Sequence, residues 1–367
     1  MSWIDRLKAL AIISLSTIIS FFIVEYSYRY IKHGDPKSDY KNRTMLFEVG
    51  DNFQNSNDYF KYFPNQKIRS ITLFSRVKST STDDLVIEYD YLIRTNNFGL
   101  VMKHDVFPKK RAIFVIGDSF TEGQGASPWF YDLEDAYDAE GTQLINLGIL
   151  GTGPQQWENL ASSTRQQLGL DVVATVINII PPAMRRPVWT FKERELNCLH
   201  KASCDYVFGF QGYNFVSEES NYDIKLSVLN SIVNTPNISN SSELRFSNIK
   251  DFFRQSHVIL DLYVFLKTHF SIVPDNEAAI LSLREAVSGN LYVNVVSRKS
   301  INSSNYADNQ FAKRLINFLH ENQIKYKWCD IPVDGFHKYD GHPNANGYKI
   351  LRECTRDALS KLETTMR

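Results

Sequence analysis

The chain has 367 residues, of which 43% are hydrophobic and 22% charged, the proportions of a globular protein. Lys+Arg and Asp+Glu stand at 41 each, so no basic excess offers an electrostatic footprint for nucleic acid. Such a length is long for one domain and short for three, which argues for one main domain with appendages.

Ala9 to Val24 is apolar apart from small hydroxyl residues, with Lys8 before it and Glu25, Tyr26, Tyr28 and Tyr30 after it. With Leu7 and a snorkelling Lys8 the run reaches the roughly 17 residues of a short membrane-spanning helix, and the tyrosines suit an interfacial belt. No small-x-small cleavage site follows, which favours an uncleaved signal anchor over 7–26 against a removed signal peptide. Arg29, Lys32, Lys37, Lys41 and Arg43 outnumber Arg6 and Lys8, and on charge alone the bulk of the chain belongs in the cytoplasm. The cysteines argue the other way. Cys198 with Cys204 and Cys329 with Cys354 offer two disulfides in an oxidising compartment, and neither pair has zinc-site spacing, so the domain is expected to be extracytoplasmic. Cys329 and Cys354 fit a pair of buried thiols equally well.

Residues 27–58 are polar and unpatterned and read as a juxtamembrane linker. Residues 59–110 read as a small β-rich extension, because Ile68, Ile71, Leu73 and Val77, then Leu85, Ile87, Tyr89 and Tyr91, mark two strands around a polar turn. Ala112 to Ile116 is too short for a helix and is closed by Gly117, as in a strand buried on both faces. Ser119 falls where that strand stops. A helix over Pro128 to Ala139, a strand over Gln143 to Leu147, a helix from Pro154 to its stop at Gly169 and a strand from Asp171 to Ile180 follow. This strand and helix alternation argues for a parallel sheet wrapped by helices.

Residues 185–275 are rich in Asn, Ser and Tyr and read as an insertion at the carboxyl edge of that sheet, covering the site, with helical patches at Leu226 to Val233 and Ile249 to Phe265. Alternation resumes with a helix from Glu277 to Val287, a strand from Leu291 to Val296, a helix from Asp308 to His320 and a strand from Lys325 to Asp330. Leu351, Cys354, Ala358 and Leu362 then form the buried stripe of a C-terminal helix.

Gly117-Asp118-Ser119 alone is a common turn tripeptide whose Asp or Ser caps the next helix. Together with Asn146-Leu-Gly-Ile-Leu-Gly151 and Asp340-Gly-His-Pro-Asn-Ala-Asn-Gly-Tyr348, in this order, it resembles the SGNH (GDSL) hydrolase family. Arg94-Thr-Asn-Asn-Phe-Gly99-Leu and the D-x-H spacing are similar to membrane-attached bacterial members. The resemblance implies a flavodoxin-like three-layer sandwich over 111–367 with a central parallel sheet, and an esterase or O-acyltransferase without metal or cofactor. In it Ser119 is the nucleophile, His342 the base and Asp340 its orienting partner, with Asp334 and Asp330 as substitutes. A lone serine hydroxyl needs such a base to become nucleophilic. The backbone amides of Ser119 and Gly151 become oxyanion donors. The family's G-x-N-D block is missing; Asn178, about two residues early and the only amide in that strand, either substitutes as the third oxyanion donor or leaves the hole incomplete. Arg185 and Arg186 beyond it read as a solvated charge pair or as partners for an anionic sugar. With the anchor, the resemblance implies an O-acylated, in particular acetylated, cell-surface carbohydrate as the partner. A degenerate scaffold that binds glycans without turnover is the rival reading.

Overall fold

The computed structural model describes residues 40–76, 79–126, 129–139, 141–201, 209–216, 219–234, 276–299 and 306–366, with isolated positions near the N-terminus. The chain divides into two units. One, residues 1–41 and 235–272, lies almost wholly outside the described residues, and with it lie the expected anchor over 7–26 and the helical patch at Ile249 to Phe265. No helix among the described residues is long and apolar enough to cross a membrane. The other unit, residues 42–234 and 273–367, carries all that follows.

Its first part is richer in β-structure than the composition of 27–58 suggests. Strand β1 (Tyr40–Glu48) occupies the stretch expected to be linker, and β2 (Phe53–Asn55) pairs antiparallel with β3 (Phe60–Tyr62). β1 escapes a period-2 reading because Met45, Leu46 and Phe47 are buried in succession, as in a strand covered on both faces. The two expected strands are β4 (Lys67–Arg76) and β5 (Leu85–Arg94), antiparallel neighbours joined through a 3-10 turn at Thr82–Asp84.

The chain then enters the main sheet. β6 (Arg111–Gly117) leads into a single turn of helix, α1 (Ser119–Glu122), followed by α2 (Tyr131–Ala139), β7 (Gln143–Gly148), α3 (Pro154–Leu168) and β8 (Asp171–Ile179). α3 has the local chemistry expected of it: Gly153 as N-cap, Pro154 at its first turn, a buried face of Trp157, Leu160, Ala161 and Thr164, and Gly169 in the left-handed conformation as its stop. After β8 a 3-10 turn at Pro181–Arg185 opens the insertion, which carries α4 (Glu193–Lys201), β9 (Gly209–Tyr213) and α5 (Asn221–Asn234).

The described part of the insertion reaches back to the N-terminal strands. β9 pairs in parallel with β1, Thr44 to Glu48 lying against Gly209 to Tyr213, and completes a sheet of order β5-β4-β1-β9. Ile224, Val228 and Leu229 of α5 pack with Leu46, Ile71, Leu73 and Leu85 of that sheet. The N-terminal extension therefore shares its core with a segment from the middle of the chain.

The remaining elements are α6 (Asn276–Glu285), β10 (Leu291–Lys299), α7 (Tyr306–Glu321), β11 (Lys325–Pro332) and α8 (Ala345–Met366). The main sheet has the order β11-β10-β8-β6-β7, and every neighbouring pair is parallel. This is the flavodoxin-like order, with the first strand between the second and third, and its topological switch point lies between β6 and β8. Strands β6, β7 and β8 are buried on both faces, which explains their apolar runs, whereas the edge strand β11 is partly exposed. α8 presents Leu351, Cys354, Ala358 and Leu362 to the sheet, and a disulfide ties Cys354 to Cys329 of β11. Cys198 is also disulfide-bonded, and Cys204 lies outside the described residues.

Candidate active site

Ser119 stands at the carboxyl end of β6, at the switch point. β6 can turn sharply there because residue 117 is glycine: a Cβ on Gly117 would stand 2.0 Å from Thr121 Oγ1 and 2.6 Å from the carbonyl of Asn178. Asp118 caps the turn by accepting from the amide of Phe120 at 3.0 Å. Ser119 is thereby the first residue of α1, a position whose own amide has no helical partner.

His342 arrives on the loop between β11 and α8. Its Nε2 lies 2.8 Å from Ser119 Oγ, while Nδ1 lies 2.9 Å from Asp340 Oδ1. The second approach is bent, so that Nδ1 lacks a well-aligned acceptor despite the short distance. Phe120 covers the imidazole with ring centroids 5.3 Å apart. Burial pushes the Asp340 carboxyl up, but the charge and hydrogen bond of His342, then Arg43 and Tyr89, outweigh it and hold the acid well below the usual carboxylate range. The other two aspartates considered lie elsewhere: exposed Asp330 accepts from Ser297 Oγ, and the carbonyl of exposed Asp334 accepts from Asn344.

On the opposite side of Ser119 runs the loop after β7. Gly151 has φ +71, a backbone that favours glycine, and a Cβ there would meet the ring of Trp189 at 3.2 Å. Trp189 Nε1 in turn donates to the carbonyl of Gly151 at 3.1 Å. Asn146 fixes the start of this loop, accepting from the amide of Gly148 and donating to the carbonyls of Val101 and Thr121. Neither Ser119 nor Gly151 donates its amide to an acceptor among the described residues, which leaves both free for a ligand.

Asn178 is buried in β8 beside Asn294, which donates to its Oδ1 at 2.8 Å, with Thr355 Oγ1 of α8 3.3 Å from the same oxygen. Its Nδ2 is buried and has no partner among the described residues. Arg186 differs from expectation. Far from being a solvated charge, its Nη1 donates to Asp118 Oδ2 at 2.6 Å and to the carbonyl of Thr152 at 2.9 Å, and so spans the turn carrying Ser119 and the loop carrying Gly151. Arg185 lies over the ring of Phe311.

Sequence reasoning passed over three side chains around this site. Tyr89 of β5 donates to Asp340 Oδ2 at 2.5 Å, Arg43 of β1 reaches the same oxygen at 3.1 Å, and Gln124 donates to the phenol oxygen of Tyr89 at 2.5 Å. Glu122, wholly buried at the end of α1, accepts from Tyr62 at 2.8 Å. Burial pushes its carboxyl up to about 8, against the hydrogen bonds of Tyr62 and of the Leu150 amide. The signal for these residues was weak: Tyr89 is an ordinary member of an aromatic strand, Arg43 of a polar stretch and Gln124 and Glu122 of a glycine-rich turn, until the N-terminal sheet is seen beside the loop that carries Asp340. Among the described residues no group of three or more His, Cys, Asp or Glu could hold a metal ion.

No protein-family model and no curated protein matches the chain. Solved structures similar to it include the psychrotrophic esterase EstA from Pseudoalteromonas sp., at 12% identity and TM-score 0.35, covering 69% of this chain and 99% of that one. A catalytic mutant of Axe2, an acetylxylan esterase from Geobacillus stearothermophilus, is similar at 12% identity and TM-score 0.34, covering 69% of this chain and 95% of that one. A member of the lipolytic protein G-D-S-L family from Veillonella parvula is similar at 12% identity and TM-score 0.31, covering 68% and 98%.

Proposed function

We propose that the chain is a serine esterase of the SGNH type, which cleaves or transfers O-acyl groups through Ser119, His342 and Asp340. The observation that carries this reading is the 2.8 Å separation of Ser119 Oγ and His342 Nε2 at the carboxyl edge of a parallel sheet. In this reading Oγ attacks the acyl carbonyl while its proton passes to Nε2, and Asp340 stabilises the imidazolium. The tetrahedral oxyanion is met by the amides of Ser119 and Gly151, each worth about 2.7–4 kcal/mol in comparable sites. His342 then returns the proton to the leaving alcohol, and water or an acceptor hydroxyl takes the acyl group from Ser119 by the reverse sequence.

A fluorophosphonate probe tests the reading directly. Labelling should occur on the wild-type chain, vanish in Ser119→Ala and persist in Ser297→Ala; labelling that survives in Ser119→Ala removes the mechanism.

The finer assignment is an acyl ester, in particular an acetyl ester, on cell-surface carbohydrate, with the chain held as a single-pass membrane protein by residues 7–26 and its larger part outside the cytoplasm. The disulfide between Cys329 and Cys354 supports the oxidising compartment, and the apolar run from Ala9 to Val24 supports the anchor. Protease added to spheroplasts should digest the larger unit; protection together with free thiols decides for the cytoplasm. Glycan binding without turnover is favoured by one observation, the absence of a G-x-N-D asparagine at the end of β8, where Asn178 is instead tied through its Oδ1 to Asn294. The same labelling experiment separates the two readings.

A further inference from the structure

The proposed mechanism uses one oxygen of Asp340 and leaves the other to be explained. Oδ1 faces His342, whereas Oδ2 is held from the far side by two residues of the N-terminal sheet, Tyr89 on β5 and Arg43 on β1. Tyr89 is separated from Asp340 by 251 positions in the chain, so nothing local brings them together.

Counting protons fixes the direction of these bonds. The phenol oxygen of Tyr89 receives a hydrogen from Gln124 Nε2 at 2.5 Å and another from Arg43 Nη2 at 3.2 Å. An amide NH₂ and a guanidinium are donors only, so the single phenolic proton points at Asp340 Oδ2. Gln124 closes the circuit, since its own amide donates to the carbonyl of Ser119 at 3.0 Å. Ser119, His342, Asp340, Tyr89 and Gln124 thus form one ring of contacts, with Arg43 placed on the Tyr89–Asp340 link. A carboxylate held at both oxygens cannot rotate away from the imidazole.

We propose that Tyr89 and Arg43 are positioning residues of the catalytic Asp340, which makes the N-terminal sheet a working part of the hydrolase site. This rests on the esterase reading given above. Tyr89 fixes the carboxylate plane, and the Arg43 cation tempers how strongly that carboxylate attracts a protonated His342.

The sign of the second effect follows from charge. A cation beside Asp340 stabilises the carboxylate and repels an imidazolium on its other oxygen, so removing the cation favours the imidazolium. The other groups that face this cluster are His337, Tyr91, Tyr348, Glu88 and the Asp118–Arg186 pair. His337 lies against the Tyr89 ring with centroids 4.7 Å apart and bonds the carbonyl of Gly125, with Glu88 behind it. Tyr91 stands 5.7 Å from the Tyr89 ring, Tyr348 donates to the carbonyl of Gln124, and Asp118 with Arg186 adjoins Ser119. Of these only His337 is a second imidazole, and His337→Gln separates the two.

The test is kcat and kcat/KM against pH for hydrolysis of a simple acyl ester by the full chain, in wild type, Arg43→Met, Arg43→Lys, Tyr89→Phe and His337→Gln. Arg43→Met should move the acid limb of kcat/KM up by roughly 0.5–1 pH unit. Arg43→Lys should return it. Tyr89→Phe keeps its ring contacts and should lower kcat about tenfold with KM little changed, while His337→Gln leaves the limb where it was. Thermal melts establish that each variant folds. Should Arg43→Met fail to fold, Tyr89→Phe decides alone. Folded Arg43→Met and Tyr89→Phe proteins with wild-type kcat and an unmoved limb overturn the proposal while leaving the esterase reading intact. Wild-type turnover that survives in Ser119→Ala overturns both.

Discussion

Arg186 Nη1 lies 2.6 Å from Asp118 Oδ2, so the carboxylate that immediately precedes Ser119 has its counter-charge supplied from beyond the end of β8. The side chain of Asp118 is 1% exposed and that of Arg186 28%. An anion so enclosed is costly once its partner is removed. Arg186→Met should destabilise the protein by roughly 3 kcal/mol, the low end for a broken buried pair because the arginine is partly solvated. Asp118→Asn in the same chain should return part of that loss, since no charge then remains to be buried. Urea unfolding of the single and double variants measures both, and strictly additive losses would mean that the two side chains do not interact.

Glu122 makes the protein's stability depend on pH. Its carboxyl is held up at about 8 by burial, above the ordinary range of a glutamate in an unfolded chain. The folded state therefore keeps a proton that the unfolded state gives up, and stability present below about pH 4.5 is lost progressively as pH rises towards 8. Glu134, also held at about 8 by burial, acts in the same direction. Glu122→Gln carries no proton to lose, so its melting temperature should fall less steeply than that of wild type between pH 5 and 8, with Glu134 contributing to the slope that remains. Identical slopes in the two proteins would assign the dependence elsewhere.

Gly151→Ala should act on turnover more than on folding. The backbone at φ +71 disfavours a side chain by about 1–2 kcal/mol. The added methyl also presses on Trp189, whose indole is tied to the carbonyl of the same residue. Relief comes by turning the peptide, which moves the amide assigned to the oxyanion. We expect kcat to fall about 10²-fold with KM little changed, near the loss of one oxyanion donor. A fall in stability with kcat preserved would remove Gly151 from that role.

The assignment of Asp340 separates from that of His342 by their variants. His342→Ala should abolish turnover to within the residual rate of the oxyanion site, and Asp340→Asn should cost up to about 10⁴-fold, because an asparagine can hold the wrong imidazole tautomer. Asp334→Asn and Asp330→Asn should be silent, as neither side chain touches His342. Steady-state rates on one ester substrate decide all four.

The parallel sheet was legible because its inner strands are covered on both faces, so Ala112 to Ile116 and Val172 to Ile177 read as short apolar blocks whatever their tertiary surroundings. Ser119 was legible for the same reason, since the block before it ends at a glycine. The pairing of β1 with β9 was not. Gly209-Phe-Gln-Gly-Tyr213 has little strand signature of its own, and its place depends on Gly212, where a Cβ would stand 2.4 Å from the carbonyl of Cys198 and push α4 away. Arg43 and Tyr89 were hidden by that omission, because a side chain can be assigned to a site only once its strand is known to pass there. For Asn178 the residue type alone was legible, and its register opposite Asn294 was not, because that pairing joins strands far apart in the chain.

The bond between Cys329 and Cys354 spans 25 positions, and both Asp340 and His342 fall inside the span. The loop that carries His342 is thus part of a closed covalent ring, hinged on the last strand and the last helix. A single proteolytic cut anywhere within it leaves one molecule, with the C-terminal helix still tethered to the sheet. Damage there would go unnoticed on a gel run without reductant, and reduction would release the final helix as a separate fragment.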